Sequence, residues 1–119
     1  MKNFRELKVW QKAHHLVLAI YSATRTFPGE ELYGLTSQMR RSSISIPANI
    51  AEGCGRGGDK EFARFLQIAM GSASELEYYV LLAHDLEFLK TSVYERLAEE
   101  VVEVKRMLTS FIRKLKADG

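Results

Sequence analysis

Along this chain apolar residues return every three or four positions, and the helical period is broken at only three places. Phe4, Leu7, Trp10, His14, Val17, Tyr21 and Thr24, widened by Ala13 and Ile20, predict a first helix over residues 4–26 that Phe27, Pro28 and Gly29 end. A second helix runs from Leu35 to about Arg56 with Pro47 inside it, where the missing N–H predicts a kink and a freed Ser43 carbonyl. After the break GCGRGGD, Asp59 reads as the N-cap of a third helix reaching Phe88 or Leu89, with Phe62, Phe65, Ala69, Ser72, Leu76, Tyr79, Ala83 and Leu86 inward. Thr91 or Ser92 opens the last helix, Ser92 and Glu95 having capping-box spacing. Its apolar line, Leu97, Val101, Val104, Leu108, Phe111 and Leu115, is the narrow seam of a helix packed lengthwise on its neighbours. Four long amphipathic helices on short loops predict an all-α fold, an antiparallel up-down-up-down four-helix bundle, as one domain over residues 1–119.

The second helix carries two lines of residues. Gln38, Arg41, Ser45, Asn49, Glu52 and Arg56 step along one face, while Leu35, Met39, Ile46, Ile50 and Cys54 form the other, with Ile44, Ala48 and Ala51 between them. Polar groups so hemmed in cost free energy unless paired, so this stripe predicts a specific partner within the chain or in another copy of it. In an antiparallel pairing across the glycine turn, Arg41 and Glu75 lie at similar distances from that turn, which predicts a buried ion pair completed by Gln38, Ser45, Asn49 and Ser72. Gly71 and Ser72 are small enough to permit close approach there.

Composition adds little. With 46% hydrophobic and 27% charged residues the chain has the balance of a globular protein, and no apolar run approaches a membrane span. The charged start and the single cysteine, Cys54, fit a reducing cytoplasm. A formal net charge of +2 is too small for general nucleic-acid binding. Its placement is more informative. In an up-down bundle one pole collects Lys2, Arg5, Lys8, Arg56, Lys60, Arg64, Arg113, Lys114 and Lys116 against four acids, while the other has three cations against seven acids. Side by side in an oligomer, several basic poles would attract phosphate, so these nine residues are a candidate nucleic-acid surface.

Catalytic and cofactor chemistry finds less support. GCGRGGDK over Gly53–Lys60 lacks the Ser or Thr and the preceding strand of a phosphate loop, and left-handed turn geometry explains its glycines. His14, His15 and His84 lack paired ligand spacing, and Ser42, Ser43 and Ser45 have no base in sequence context, so neither metal, cofactor nor nucleophile is expected. The alternative is a small metal-dependent hydrolase or nuclease using Arg41, Glu52 and Glu75, which would need those groups to converge on an open cleft.

The blocks LKVWQKA, FPGEELYGLTSQMRRSSISIPANIAEG and EFARFLQIAMGSASELEYYVLLA together resemble the four-helix-bundle family encoded in intervening sequences of bacterial 23S rRNA genes. The chain is more distantly similar to the accessory variability protein of diversity-generating retroelements. Gln38, Arg41, Ser45, Asn49, Glu52, Gly53, Gly71, Ser72 and Glu75 carry the motif. The resemblance implies a bundle assembling into a homopentamer with no established enzymatic activity. In the retroelement relatives it implies binding of nucleic acid and a reverse transcriptase through a strongly basic surface, from which this chain departs in its modest charge. The expected function is therefore a non-enzymatic homo-oligomeric interaction protein with RNA or a ribonucleoprotein as candidate partner.

Overall fold

The computed structural model describes residues 3–118. Four helices follow one another, α1 (Lys8–Thr24), α2 (Leu35–Cys54), α3 (Asp59–Asp85) and α4 (Thr91–Asp118). Each packs on its neighbour in chain order and α4 closes on α1, giving the expected all-α antiparallel four-helix bundle. One continuous apolar core runs its length, centred on Leu16, Ile20, Met39, Ile46, Ile50, Leu66, Leu76, Val80, Leu97, Val101 and Leu108.

The ends of the helices differ from the sequence expectation for local reasons. The first helix is not continuous from residue 4. Phe4–Glu6 form a 3-10 turn capped by the Asn3 side chain, and Leu7 is extended (φ −77°, ψ 125°) before α1 begins at Lys8. The apolar spacing of Phe4, Leu7 and Trp10 survives the break because the Phe4 ring packs edge-on against Trp10. Helix α3 ends at Asp85, not at Phe88. The Phe88 N–H donates to the Ala83 carbonyl and the Glu87 N–H to that of His84, with Glu87 in the left-handed region (φ 65°), which is a Schellman stop. Phe88 then packs on Phe27 across the bundle end. Thr91 already belongs to α4, so Ser92 lies inside the first turn and no Ser92–Glu95 capping box forms. Asp59 is likewise the first residue of α3, and Gly58 (φ 114°) precedes it as the cap. Helix α2 continues through the buried Pro47.

Helices α2 and α3 approach closely at Gly53. A Cβ there would stand 2.7 Å from Phe65 Cβ and 3.0 Å from Phe62 Cδ1, whereas one on Gly71 would meet nothing within 4 Å. Of the two small residues expected to permit close approach, Ser72 does meet α2, its hydroxyl 2.8 Å from that of Ser45, while Gly71 lies open on the surface. Gly53→Ala should lower stability by about 1–3 kcal/mol through overpacking. A denaturation midpoint equal to or above the wild type's would show that the two phenylalanines yield freely.

Candidate functional site

Helices α2 and α3 meet along a polar seam whose register is fixed at several points. Ser45 Oγ lies 2.8 Å from Ser72 Oγ, and Asn49 Nδ2 donates to the Ser45 carbonyl (2.7 Å) and hydroxyl (3.0 Å). One helical stretch further from the turn, the Tyr79 hydroxyl donates to Gln38 Oε1 at 3.4 Å. Burial, then the adjoining Glu75 carboxylate, hold the Tyr79 hydroxyl above the ordinary tyrosine pKa. The helices run antiparallel, so this register sets Arg41 level with Glu75 and Leu76.

The predicted buried Arg41–Glu75 pair does not form within one chain. Both residues are exposed, and Arg41 makes no hydrogen bond or ion pair with any described residue. The helices do not enclose the seam, because α2 and α3 are neighbours on the rim of the bundle and their polar line faces outward. Ile44 (43% exposed), Ile68 (41%), Ala48 and Gly71 flank it. Glu52 turns away to Arg56 in an i,i+4 pair at 3.0 Å. Eleven residues separate it from Arg41, about 16 Å along the helix axis. The constellation required by a hydrolase is therefore not assembled in the single chain. Among the described residues no group of three or more His, Cys, Asp or Glu is placed to hold a metal ion.

The remaining candidates for chemistry have local partners. Ser42 and Ser43 return their hydroxyls to the carbonyls of Met39 and Arg40. His14 stacks on Trp10, His84 on Tyr94, and His15 reaches Glu100 at 3.5 Å.

At the basic pole the cations divide into two groups. Arg56 and Arg64 are held by Glu52 and Glu61 and both lie over the Phe65 ring; the Arg64 hydrogen bond keeps the Glu61 carboxyl below its ordinary pKa. Arg5 lies over Phe4. Lys8, Arg113, Lys114 and Lys116 are exposed with no acid partner among the described residues, Lys60 is exposed with its charge felt by Glu61, and Lys2 lies outside the described residues. Two open grooves run beside α4 here. One, of about 530 Å³, has Leu7, Val9, Met107 and Phe111 within it and Lys8, Arg106, Ser110 and Lys114 at its edges. The other, about 450 Å³, lies between α3 and α4 beside Lys60, Arg64 and Lys116.

The family model of the 23S rRNA-intervening sequence protein matches residues 5–110. The chain belongs to that family. It is also similar to a crystal structure of a protein of unknown function from the S23 ribosomal protein family of Bacteroides thetaiotaomicron VPI-5482. The two share 28% identity and a TM-score of 0.81, over 87% of this chain and 97% of that one. No curated protein matches. The region shared with the 23S rRNA-intervening sequence proteins includes the whole polar seam, while Arg113, Lys114 and Lys116 lie beyond it. Among the described residues no helix is long and apolar enough to cross a membrane.

Sequence reasoning missed Arg106, because charge was counted only at helix ends. Its spacing from Ser110 and Arg113 on α4 was the available signal. Of the residues expected inward on the third helix, Tyr79 is half-buried with its hydroxyl in the seam, and Leu86 lies exposed in the turn after α3.

The raised Tyr79 pKa has a definite sign. The folded state keeps this proton above about pH 10, where the unfolded tyrosine loses it, so the contribution is present below that pH and is lost as pH rises through the folded value. In ultraviolet titration of tyrosinate, Tyr79→Phe should remove absorbance that the wild type gains only above about pH 10. An unaltered upper limb in that variant would contradict the assignment.

Proposed function

We propose that this protein is a non-enzymatic, homo-oligomeric interaction protein whose copies meet across the α2–α3 seam and whose basic poles, brought side by side, bind RNA or a ribonucleoprotein. The observation that carries the reading is Arg41. A guanidinium level with Glu75, unpaired, and flanked by exposed Ile44, Ile68 and the open Gly71 is half of an unfinished interface. Gly71 strengthens the case. Glycine inside a helix costs about 1 kcal/mol relative to alanine, and no described residue lies within 4 Å of where its side chain would be. A backbone approaching from another copy would require that space. Glu75 of that copy supplies the counter-charge Arg41 lacks, and the Ser45–Ser72–Asn49 cluster becomes buried with its hydrogen bonds already made.

Five copies is the number the family resemblance implies. Light scattering at micromolar concentration should then return about five times the 13.6 kDa chain mass. Arg41→Glu and Glu75→Arg should each dissociate the assembly, and the double reversal should restore part of it. A wild type that runs as a monomer contradicts the reading.

Binding of nucleic acid follows from the unpaired cations and carries little sequence information, since the contacts are to phosphate. Affinity for a labelled single-stranded RNA should fall steeply between about 50 and 200 mM salt. Replacing Arg113, Lys114 and Lys116 by Glu should abolish it without unfolding α4, because all three are exposed. Retained affinity in that folded variant would locate the contact elsewhere, and salt-independent binding would rule out a phosphate-dominated one.

A further inference from the structure

The two ends of the molecule are complementary to each other. We propose that the acidic end of one copy, led by Leu32 and Tyr33, docks into the groove between α1 and α4 at the basic end of a second copy. This contact uses residues other than those of the α2–α3 seam and stands independently of it.

The projecting part is a short ordered loop. Gly29–Glu31 form a 3-10 turn, the Gly34 N–H donates to the Glu31 carbonyl at 2.9 Å, and Glu31 Oε1 accepts the Leu35 N–H at 3.1 Å, capping α2. What this tied loop presents to water is apolar. Tyr33 is 92% exposed and Leu32 49%, while Leu86 stands 46% exposed on the other turn at the same end. Large apolar side chains gathered on ordered backbone mark a contact surface. Around them Glu30, Asp85 and Glu87 are exposed with no ion pair to any described residue.

The receiving part has the opposite charge and the same mixed chemistry. Leu7, Met107 and Phe111 supply apolar surface in the groove, and Lys8, Arg106 and Lys114 at its edges have no acid partner among the described residues. An aromatic ring entering it would bury its body on the apolar surface and gain cation–π attraction from the edge. Glu30 and its neighbours would meet the cations. A polyanion would satisfy the edge alone and leave the apolar surface uncovered, which is why a second copy is the better occupant. While the groove is filled, Lys8 and Lys114 are withheld from phosphate.

One chain cannot make this contact with itself, because loop and groove lie toward opposite ends of a body 45 Å long. The association is therefore head-to-tail. Phe111 stands seven residues before the end of α4, about 10 Å along the axis, so successive copies overlap in a stagger instead of butting end to end. The edge charges are solvated, which makes the contact weak and sensitive to salt.

Sedimentation velocity with two variants tests the geometry. Leu32→Ser with Tyr33→Ser removes the projection and keeps the groove; Lys8→Glu, Arg106→Glu and Lys114→Glu reverse the groove and keep the projection. At low salt the wild type should form concentration-dependent species heavier than its basic assembly, and these should disappear at about 0.5 M salt. Each variant alone should self-associate at least about tenfold more weakly. Mixed together, the two should associate with each other, since the grooves remain intact on one variant and the projections on the other, while neither finds a complement on its own kind. Arg41→Glu, which targets the lateral seam, should leave this end contact intact. A wild type of constant mass at every salt and concentration overturns the proposal, as does either folded variant associating like the wild type, or a mixture that fails to associate. Should circular dichroism show the triple reversal unfolded, Lys114→Glu alone, at an exposed position, carries the same expectation and the same refutation.

Discussion

Antiparallel docking of α2 on α3 governs everything the outer surface can do. Three contacts hold one register: Gly53 under Phe62 and Phe65 near the turn, Ser45 against Ser72 at mid-length, and Gln38 with Tyr79 toward the far end. Each step back along α2 is matched by a step forward along α3. A glycine contact of this kind is steric and unforgiving, whereas the two polar contacts are directional but weak, each worth about 1 kcal/mol. Together they determine that Arg41, Ile44, Ile68 and Gly71 share one face. Shifting α3 by one turn would scatter that face and bring the Phe62 and Phe65 rings against side chains bulkier than hydrogen.

The polarity of the molecule follows from topology as much as from composition. Antiparallel helices with short turns place the termini of α1 and α4 and the glycine turn at one end, and the two other turns at the opposite end. Cations near the chain termini and acids in the EELYG and DLE turns therefore segregate without any single run of like charge. Such a distribution matters little for stability, since exposed charges contribute weakly to folding. It matters for association, where several kT of potential at each end steer what arrives.

Most of the fold was legible because its signal is periodic. The α4 line of Leu97, Val101, Val104, Leu108 and Leu115 is buried as the spacing required, with Phe111 half-buried edge-on to Phe62, and the helix count followed from the few breakers. The helix ends were less legible. The Schellman stop uses a left-handed Glu87, a residue type that does not announce such a conformation, and Phe88 keeps the helical phase while belonging to the loop. The site was half legible. Spacing placed Gln38, Arg41, Ser45 and Asn49 on one stripe, but it could not say whether that stripe faced inward or outward. Pairing Arg41 with Glu75 inside the chain assumed that a hemmed-in charge is a buried one, and the register instead leaves both at the open rim of the helix pair. Arg106 escaped for the complementary reason, since a cation in the middle of a helix belongs to no helix end.

The four helices divide their outward faces unevenly, and that division separates two kinds of recognition. α4 buries Leu97, Val101, Val104, Leu108, Ile112 and Leu115 in one seam and leaves Met107 and Phe111 half-buried at the groove with α1, and the outer face of its C-terminal half is Arg106, Thr109, Ser110, Arg113 and Lys114. Such a face suits charge-dominated contacts that exchange readily. α2 and α3 instead expose Ile44, Ile68, Tyr78 and Leu81 after the core is complete, around a cluster whose polar atoms already have partners. Burying that surface desolvates apolar area at little polar cost, which is the condition for a long-lived contact between like chains. Because the two surfaces lie on different helices, a charge reversal on α4 leaves the seam unaltered. A substitution at Ile44 or Ile68 reaches the basic pole only through the number of poles that assembly brings together.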